Sequence, residues 1–209
     1  GELLSIAYTL VGSDYRVSSL TETSASGVTR VTGFAYDTTN RITTITDASS
    51  QVTKLTYDTS GQLTRIELPP AQSGATAQNI YYTYNANGDV LTAKDASNNI
   101  TTYQYDANGN MTLVRDARGN TVTRTFGSKN ELLTETRYLV PDPDGAGAGV
   151  PSQPVTSRYA YDVENHLRFA ISAEGHVTEY LYDSYGRQTA SISYRDNAYD
   201  VSALGTTAT

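Results

Sequence analysis

Polar and apolar residues alternate in short bursts along this chain, and the bursts return on a beat. Thr101-Thr-Tyr-Gln-Tyr105 shows the commonest burst, with Thr101, Tyr103 and Tyr105 two apart. A period of two puts those side chains on one face of a strand. The same pattern leads into seven aromatic residues: Tyr36, Tyr57, Tyr84, Tyr105, Phe126, Tyr161 and Tyr182. They are spaced by 21, 27, 21, 21, 35 and 21 residues. A fixed period near twenty is the mark of one supersecondary unit repeated along the chain.

Each repeat can be numbered from its aromatic at position 0. Position +1 carries Asp37, Asp58, Asn85, Asp106, Gly127, Asp162 and Asp183. Position +4 carries Asn40, Gly61, Gly88, Gly109, Asn130, Asn165 and Gly186. Gly and Asn tolerate φ > 0, and an Asp or Asn side chain can fold onto the backbone two residues on. The spacing therefore predicts a tight turn with a left-handed residue at +4. Apolar residues follow at +6 (Ile42, Leu63, Val90, Met111, Leu132, Leu167) and often at +9 (Ile45, Ile66, Val114). A second turn signal stands near +11, as in Asp95-Ala-Ser-Asn98 and Asp116-Ala-Arg-Gly119. The returning strand then ends on an apolar or aromatic −2 residue: Phe34, Leu55, Tyr82, Tyr103, Tyr159 or Tyr180, with Arg124 as the exception.

Each repeat thus reads as two short strands joined by turns of two alternating kinds. The predicted fold is all-β: an antiparallel meander of stacked hairpins with very little helix, because no stretch holds apolar residues at helical spacing over several turns. One hairpin is marginal in water, so neighbouring repeats must support one another. The 0 and −2 aromatics are expected to form a stripe along one face, ring beside ring.

The two long intervals align as insertions at the +11 turn. Residues 69–78 and 141–154 are rich in Pro, Gly, Ala and Ser and read as flexible surface loops. The whole chain, 1–209, reads as a single repeat array, best matched over about 30–193, whose ends are expected to be truncated repeats of something longer.

Composition narrows the classes. Only 38% of the residues are hydrophobic, which argues against a dense core, while 17 tyrosines argue against disorder. A net charge of −7 leaves no basic footprint for nucleic acid. No apolar run is long enough to insert in a bilayer, and no targeting signal is visible. There is no cysteine, so disulfides and thiol chemistry are out.

No catalytic, cofactor or metal residue stands out. His166 and His176 are the only histidines, and both fall where other repeats carry polar turn residues, so both read as solvated. Asp106-Ala-Asn-Gly-Asn110 and Asp142-Pro-Asp-Gly145 look loosely like a calcium loop, but the glycine comes too early and no Glu stands at the twelfth position. They read as turns. The tyrosine face could stack on sugar rings, with a packing role the better reading.

The consensus Tyr-Asp-x-x-Gly-x-Leu-Thr-x-Ile-x-Asp-x-x-Gly-x-x-Thr-x-Tyr-x-Tyr-Asp resembles the YD repeat of the Rhs family. Tyr57-Asp-Thr-Ser-Gly-Gln-Leu-Thr-Arg-Ile66 and Tyr105-Asp-Ala-Asn-Gly-Asn-Met-Thr-Leu-Val-Arg-Asp116 carry it. The resemblance implies a β-sheet that spirals into a hollow shell, enclosing a toxic polypeptide in bacterial toxin-complex subunits and Rhs effectors, and serving adhesion in teneurins. This chain would be an arc of such a shell: a non-enzymatic structural module, bacterial, secreted or at the cell surface. Its partners would be the rest of the same chain and the enclosed cargo. The alternative is an adhesion module, contacting a glycan or receptor through the tyrosine face or the two Pro/Gly loops. The open sheet edges are expected to allow self-association. The self-cleavage motif of toxin-bearing members is matched only superficially by Asp142-Pro-Asp-Gly-Ala146, with two repeats still to follow.

Overall fold

The structure is a computed structural model that describes residues 2–72, 74–142, 144, 150–194 and 198–199. It is all-β, with no helix among the described residues. The chain forms two compact units, Gly1–Asn99 and Ile100–Thr209.

The first unit holds β1 (Leu3–Val11), β2 (Asp14–Thr23), β3 (Thr29–Asp37), β4 (Ile42–Thr46), β5 (Val52–Tyr57), β6 (Leu63–Leu68), β7 (Gln78–Tyr84) and β8 (Val90–Lys94). Each strand pairs antiparallel with the next. The second unit repeats the scheme with β9 (Ile100–Tyr105), β10 (Met111–Arg115), β11 (Thr121–Phe126), β12 (Leu132–Val140), β13 (Ser152–Tyr161), β14 (Leu167–Ile171), β15 (Val177–Tyr182) and β16 (Gln188–Tyr194). Tyr, Thr, Val and Ile fill these strands, the residues that fit a half-buried pleated surface.

The +6 and +9 apolar residues are three apart, which a regular strand would place on opposite faces. A recurrent bulge resolves this. Leu63 lies opposite Tyr57 and Ile66 opposite Leu55, leaving Thr64 as the extra residue. Val90 and Ala93 face Tyr84 and Tyr82 in the same way, and so do Met111 and Val114 with Tyr105 and Tyr103. The bulge returns beside Phe126, Tyr161 and Tyr182. One extra residue in each of these six repeats re-phases the strand, so positions −2, 0, +6 and +9 share one face.

That register corrects the expected stack of rings. In five of the seven repeats the residue opposite the position-0 ring is aliphatic or Met: Leu63, Val90, Met111, Leu132 or Leu167, while Tyr36 faces Thr43 and Tyr182 faces Gln188. Among the described residues no hydrophobic side chain is fully buried; the buried polar side chains are those of Thr121, Thr134 and Asp142. Stability is distributed along strand–strand seams, as in other repeat proteins.

Candidate functional site: the repeat turns and the tyrosine face

Both predicted turn types prove to be one. Turns beginning at Asp47, Asp58, Asn85, Asp95, Asp106, Asp116, Asp162 and Asp183 share the same bonds. The side-chain Oδ1 of residue i accepts the backbone N–H of i+2 and of i+4 at 2.8–3.0 Å. The N–H of i+3 donates to the carbonyl of i, and the N–H of i to the carbonyl of i+4. Residue i+3 takes φ > 0: Ser50, Gly61, Gly88, Asn98, Gly109, Gly119, Asn165 and Gly186, between 62° and 94°. A short acceptor at i and a residue tolerant of left-handed backbone at i+3 are all this turn needs.

Within the seven aligned repeats two turns vary the theme, and one departs from it. At Gly127 there is no side-chain acceptor, yet Asn130 still takes φ 64°. Here Glu131, at the far end of the turn, swings its carboxylate back and accepts the Lys129 N–H at 2.7 Å. A Cβ built on Gly127 would lie 2.3 Å from that carboxylate, so the acid occupies the space the missing Asp leaves. At Ser172 the hydroxyl receives the N–H of His176 at 3.3 Å. In the first repeat the left-handed residue is Arg41 (φ 55°), not Asn40 as expected. Asp37 there pairs directly with Ile42 and the bulge is absent, so the turn is one residue wider. Asp37 Oδ1 accepts the Asn40 N–H at 2.9 Å instead.

These bonds lower the pKa values of the turn carboxylates. Hydrogen bonds from Asn99, Asn110 and Asn120 hold Asp95, Asp106 and Asp116 below the usual Asp value. Backbone N–H groups of Asn40, His166 and Arg187 do the same for Asp37, Asp162 and Asp183. Both carboxylate oxygens of Asp106 are thereby engaged within its turn.

The position-0 tyrosines act through their hydroxyls. Tyr84 Oη reaches back across β6 and donates to the carbonyl of Leu63 at 2.6 Å. Tyr182 Oη does the same to Leu167 at 3.0 Å, and Tyr36 Oη to Val17 at 2.8 Å. Each tie lands on a bulge or strand start, where the ladder leaves a carbonyl to satisfy. Desolvation pushes the Tyr84 and Tyr161 phenols above their ordinary value. On the first unit's tyrosine face, Phe34, Tyr36, Leu55, Tyr57, Arg16 and Arg41 line an open cavity of about 700 Å³. In the second unit, Arg124 interrupts the aromatic stripe at −2. It pairs with Glu135 at 3.0 Å, and Arg137 adds a second bond at 3.0 Å. Desolvation opposes ionisation of Glu135, but the two guanidinium groups outweigh it and hold the carboxyl below its usual value.

Two positions differ from the sequence reading. Asp142, expected in a flexible loop, is 6% exposed; its carbonyl accepts Arg115 Nε at 2.7 Å and Nη2 at 2.5 Å. The root of the second insertion is thus fastened to β10, while residues 143 and 145–149 lie outside the described residues, as does residue 73 of the first insertion. His166 is not freely solvated: its ring stacks on Tyr182 with centroids 4.8 Å apart. Its Nδ1 lies 3.3 Å from Asp162 Oδ2 and 3.8 Å from Glu164 Oε2, the one three-residue cluster of potential metal ligands among the described residues. The sequence held a signal for that cluster, the Asp-x-Glu-x-His spacing, which repeat-by-repeat alignment treats as turn variation.

Comparison with known proteins agrees with this architecture. The family model described as RHS Repeat matches residues 36–69 and 84–121. No curated protein sequence matches the chain. Among solved structures, TcdB2-TccC3-Cdc42 is similar over 95% of this chain at 15% identity, with a TM-score of 0.56. A Photorhabdus luminescens Tc holotoxin pore with a TccC3 point mutation is similar over 92%, at 14% identity and a TM-score of 0.55. The chain spans 14% of the length of each of these chains, and at such identities the likeness is one of fold. This chain is thus an antiparallel meander that carries RHS repeats over residues 36–69 and 84–121.

Proposed function

We propose that this chain is a structural wall: a single repeat array, part of a larger shell that encloses or presents a polypeptide in a bacterial toxin- or effector-type protein, secreted or at the cell surface. The observation that carries the reading is the turn. Eight turns satisfy their own backbone through the same two-bond side-chain cap, and the tyrosine hydroxyls tie adjacent strands. The sheet is therefore held by local bonds and needs no buried apolar core to persist. Residues with this architectural role are the aromatics Tyr36, Tyr57, Tyr84, Tyr103, Tyr105, Phe126, Tyr161, Tyr180 and Tyr182, the caps Asp37, Asp58, Asp106, Asp162 and Asp183, and the corner residues Asn40, Gly61, Gly88, Gly109, Asn130, Asn165 and Gly186. The similar fold in Tc structures supports the same use.

Containment would be passive: a continuous layer of paired backbone keeps a polypeptide on one side away from proteases on the other. Limited proteolysis of the full-length protein tests it. Sequence enclosed by the repeats should survive at protease levels that digest it after denaturation. Equal digestion before and after denaturation would count against containment. The adhesion reading draws on the cavity at Tyr36 and Tyr57. It predicts saturable binding of a polysaccharide mixture that is lost on Tyr36→Ala with Tyr57→Ala.

A further inference from the structure

We propose that the turn from Asp162 to His166 binds a transition-metal dication of the zinc type. The inference is independent of the containment reading. In four of the seven other capped turns the second carboxylate oxygen of the Asp receives a hydrogen-bond donor from residue i+4. Asn99 bonds to Asp95 at 2.9 Å, Asn110 to Asp106 at 2.9 Å, Asn120 to Asp116 at 2.7 Å and Arg187 to Asp183 at 2.8 Å. None of those i+4 side chains is a metal ligand. At this one turn residue i+4 is His166, and it brings an imidazole nitrogen to 3.3 Å from the second oxygen of Asp162.

Glu164 adds a third donor that the fold does not need. The turn uses only its backbone N–H, which binds Asp162 Oδ1 at 3.0 Å. Its side chain is 75% exposed, yet its Oε2 points back to within 3.8 Å of the imidazole nitrogen. All three donor atoms lie within 4.8 Å of one another. Two carboxylate oxygens and an imidazole nitrogen suit Zn²⁺, or Cu²⁺ more tightly, and leave coordination positions for water. Calcium and magnesium, which prefer oxygen alone, fit the set less well.

A second observation comes from outside the turn. The ring of His166 is fixed from β15, where Tyr182 stacks on it at an interplanar angle of 19°. That contact sets the ring plane, in which Nδ1 lies 3.3 Å from Asp162 Oδ2 and 3.8 Å from Glu164 Oε2. A ligand held in place before the ion arrives loses less freedom on binding.

The repeats supply the control. His166→Asn installs the residue that three other turns carry at i+4, so the cap should survive while the nitrogen ligand is lost. Titration of the whole chain with Zn²⁺ by calorimetry should show one dominant site, with thermal stability raised by the ion. His166→Asn and Glu164→Gln should each weaken binding by at least about tenfold. His176→Asn, as the bystander histidine, should leave it unchanged. Melting in chelator should be alike for the parent chain and His166→Asn. Absence of zinc binding to the parent chain, or equal binding by the His166→Asn variant, overturns the proposal.

Discussion

At the scale of the residue, the recurring decision is which atom supplies the acceptor inside each turn. Asp58 and Asp106 supply it from position i, Ser172 with a hydroxyl, and Glu131 from the opposite end. The Gly127 turn makes a direct test possible. Gly127→Asp alone should destabilise the chain by about 1–3 kcal/mol, because its side chain meets the Glu131 carboxylate. Adding Glu131→Asn recreates the Asp106–Asn110 arrangement and should recover most of that loss. A double-mutant cycle by urea denaturation reads the coupling, and additive effects would contradict the exchange of roles. The caps also set an acid limit. Asp37, Asp95, Asp106, Asp116, Asp162 and Asp183 have folded values below the unfolded value of about 3.9. The unfolded chain therefore binds more protons in that window, and stability is present above it. Melting temperature should hold near neutral pH and fall as pH drops through about 4. Asp106→Asn, the solution Asn85 already uses, should fall less steeply.

At the scale of the element, the two-strand repeat, its period and its corner residues were legible in the sequence because each rests on local chemistry. Gly61, Gly88, Gly109, Asn130, Asn165 and Gly186 all take left-handed backbone where the pattern put them. What stayed hidden depends on pairing. The three-residue step from Leu63 to Ile66 makes sense only when a neighbouring strand shows Thr64 bulged out. Nothing within residues 36–42 announces that the first repeat omits the bulge and moves its left-handed residue to Arg41. The tyrosines were expected to meet ring to ring; aliphatic strands intervene, and the hydroxyls instead bind carbonyls of the strand before. Tyr84→Phe isolates that bond, since the ring and its packing remain. Losing the Oη contact to Leu63 should cost about 0.5–1.5 kcal/mol and speed amide exchange at the start of β6. Unchanged stability and exchange would mean that the phenol contributes by packing alone.

At the scale of the whole molecule, every strand's spatial neighbours within a unit are its neighbours in sequence. A chain built that way has no central element whose loss collapses the rest; its stability is a sum of seams, and a defect should be felt most by the seams beside it. Gly109→Val provides the defect. The position takes φ 85°, and no atom lies within 4 Å of its missing Cβ, so the substitution strains backbone without a clash. It should cost about 1–3 kcal/mol at that turn. Native-state hydrogen exchange then separates two kinds of molecule. In a sum of seams, amides of β9 and β10 exchange faster while those of β14 and β15 keep their protection. In a single cooperative block, protection drops by the same factor everywhere. The register favours the first outcome, because Gly109 shares no strand pair with β14 or β15 and no fully buried hydrophobic side chain links them among the described residues. An array built this way can be lengthened by whole repeats and can carry insertions such as 69–77 and 141–151 at its turns, since each added seam brings its own caps and ties and leaves distant ones as they were.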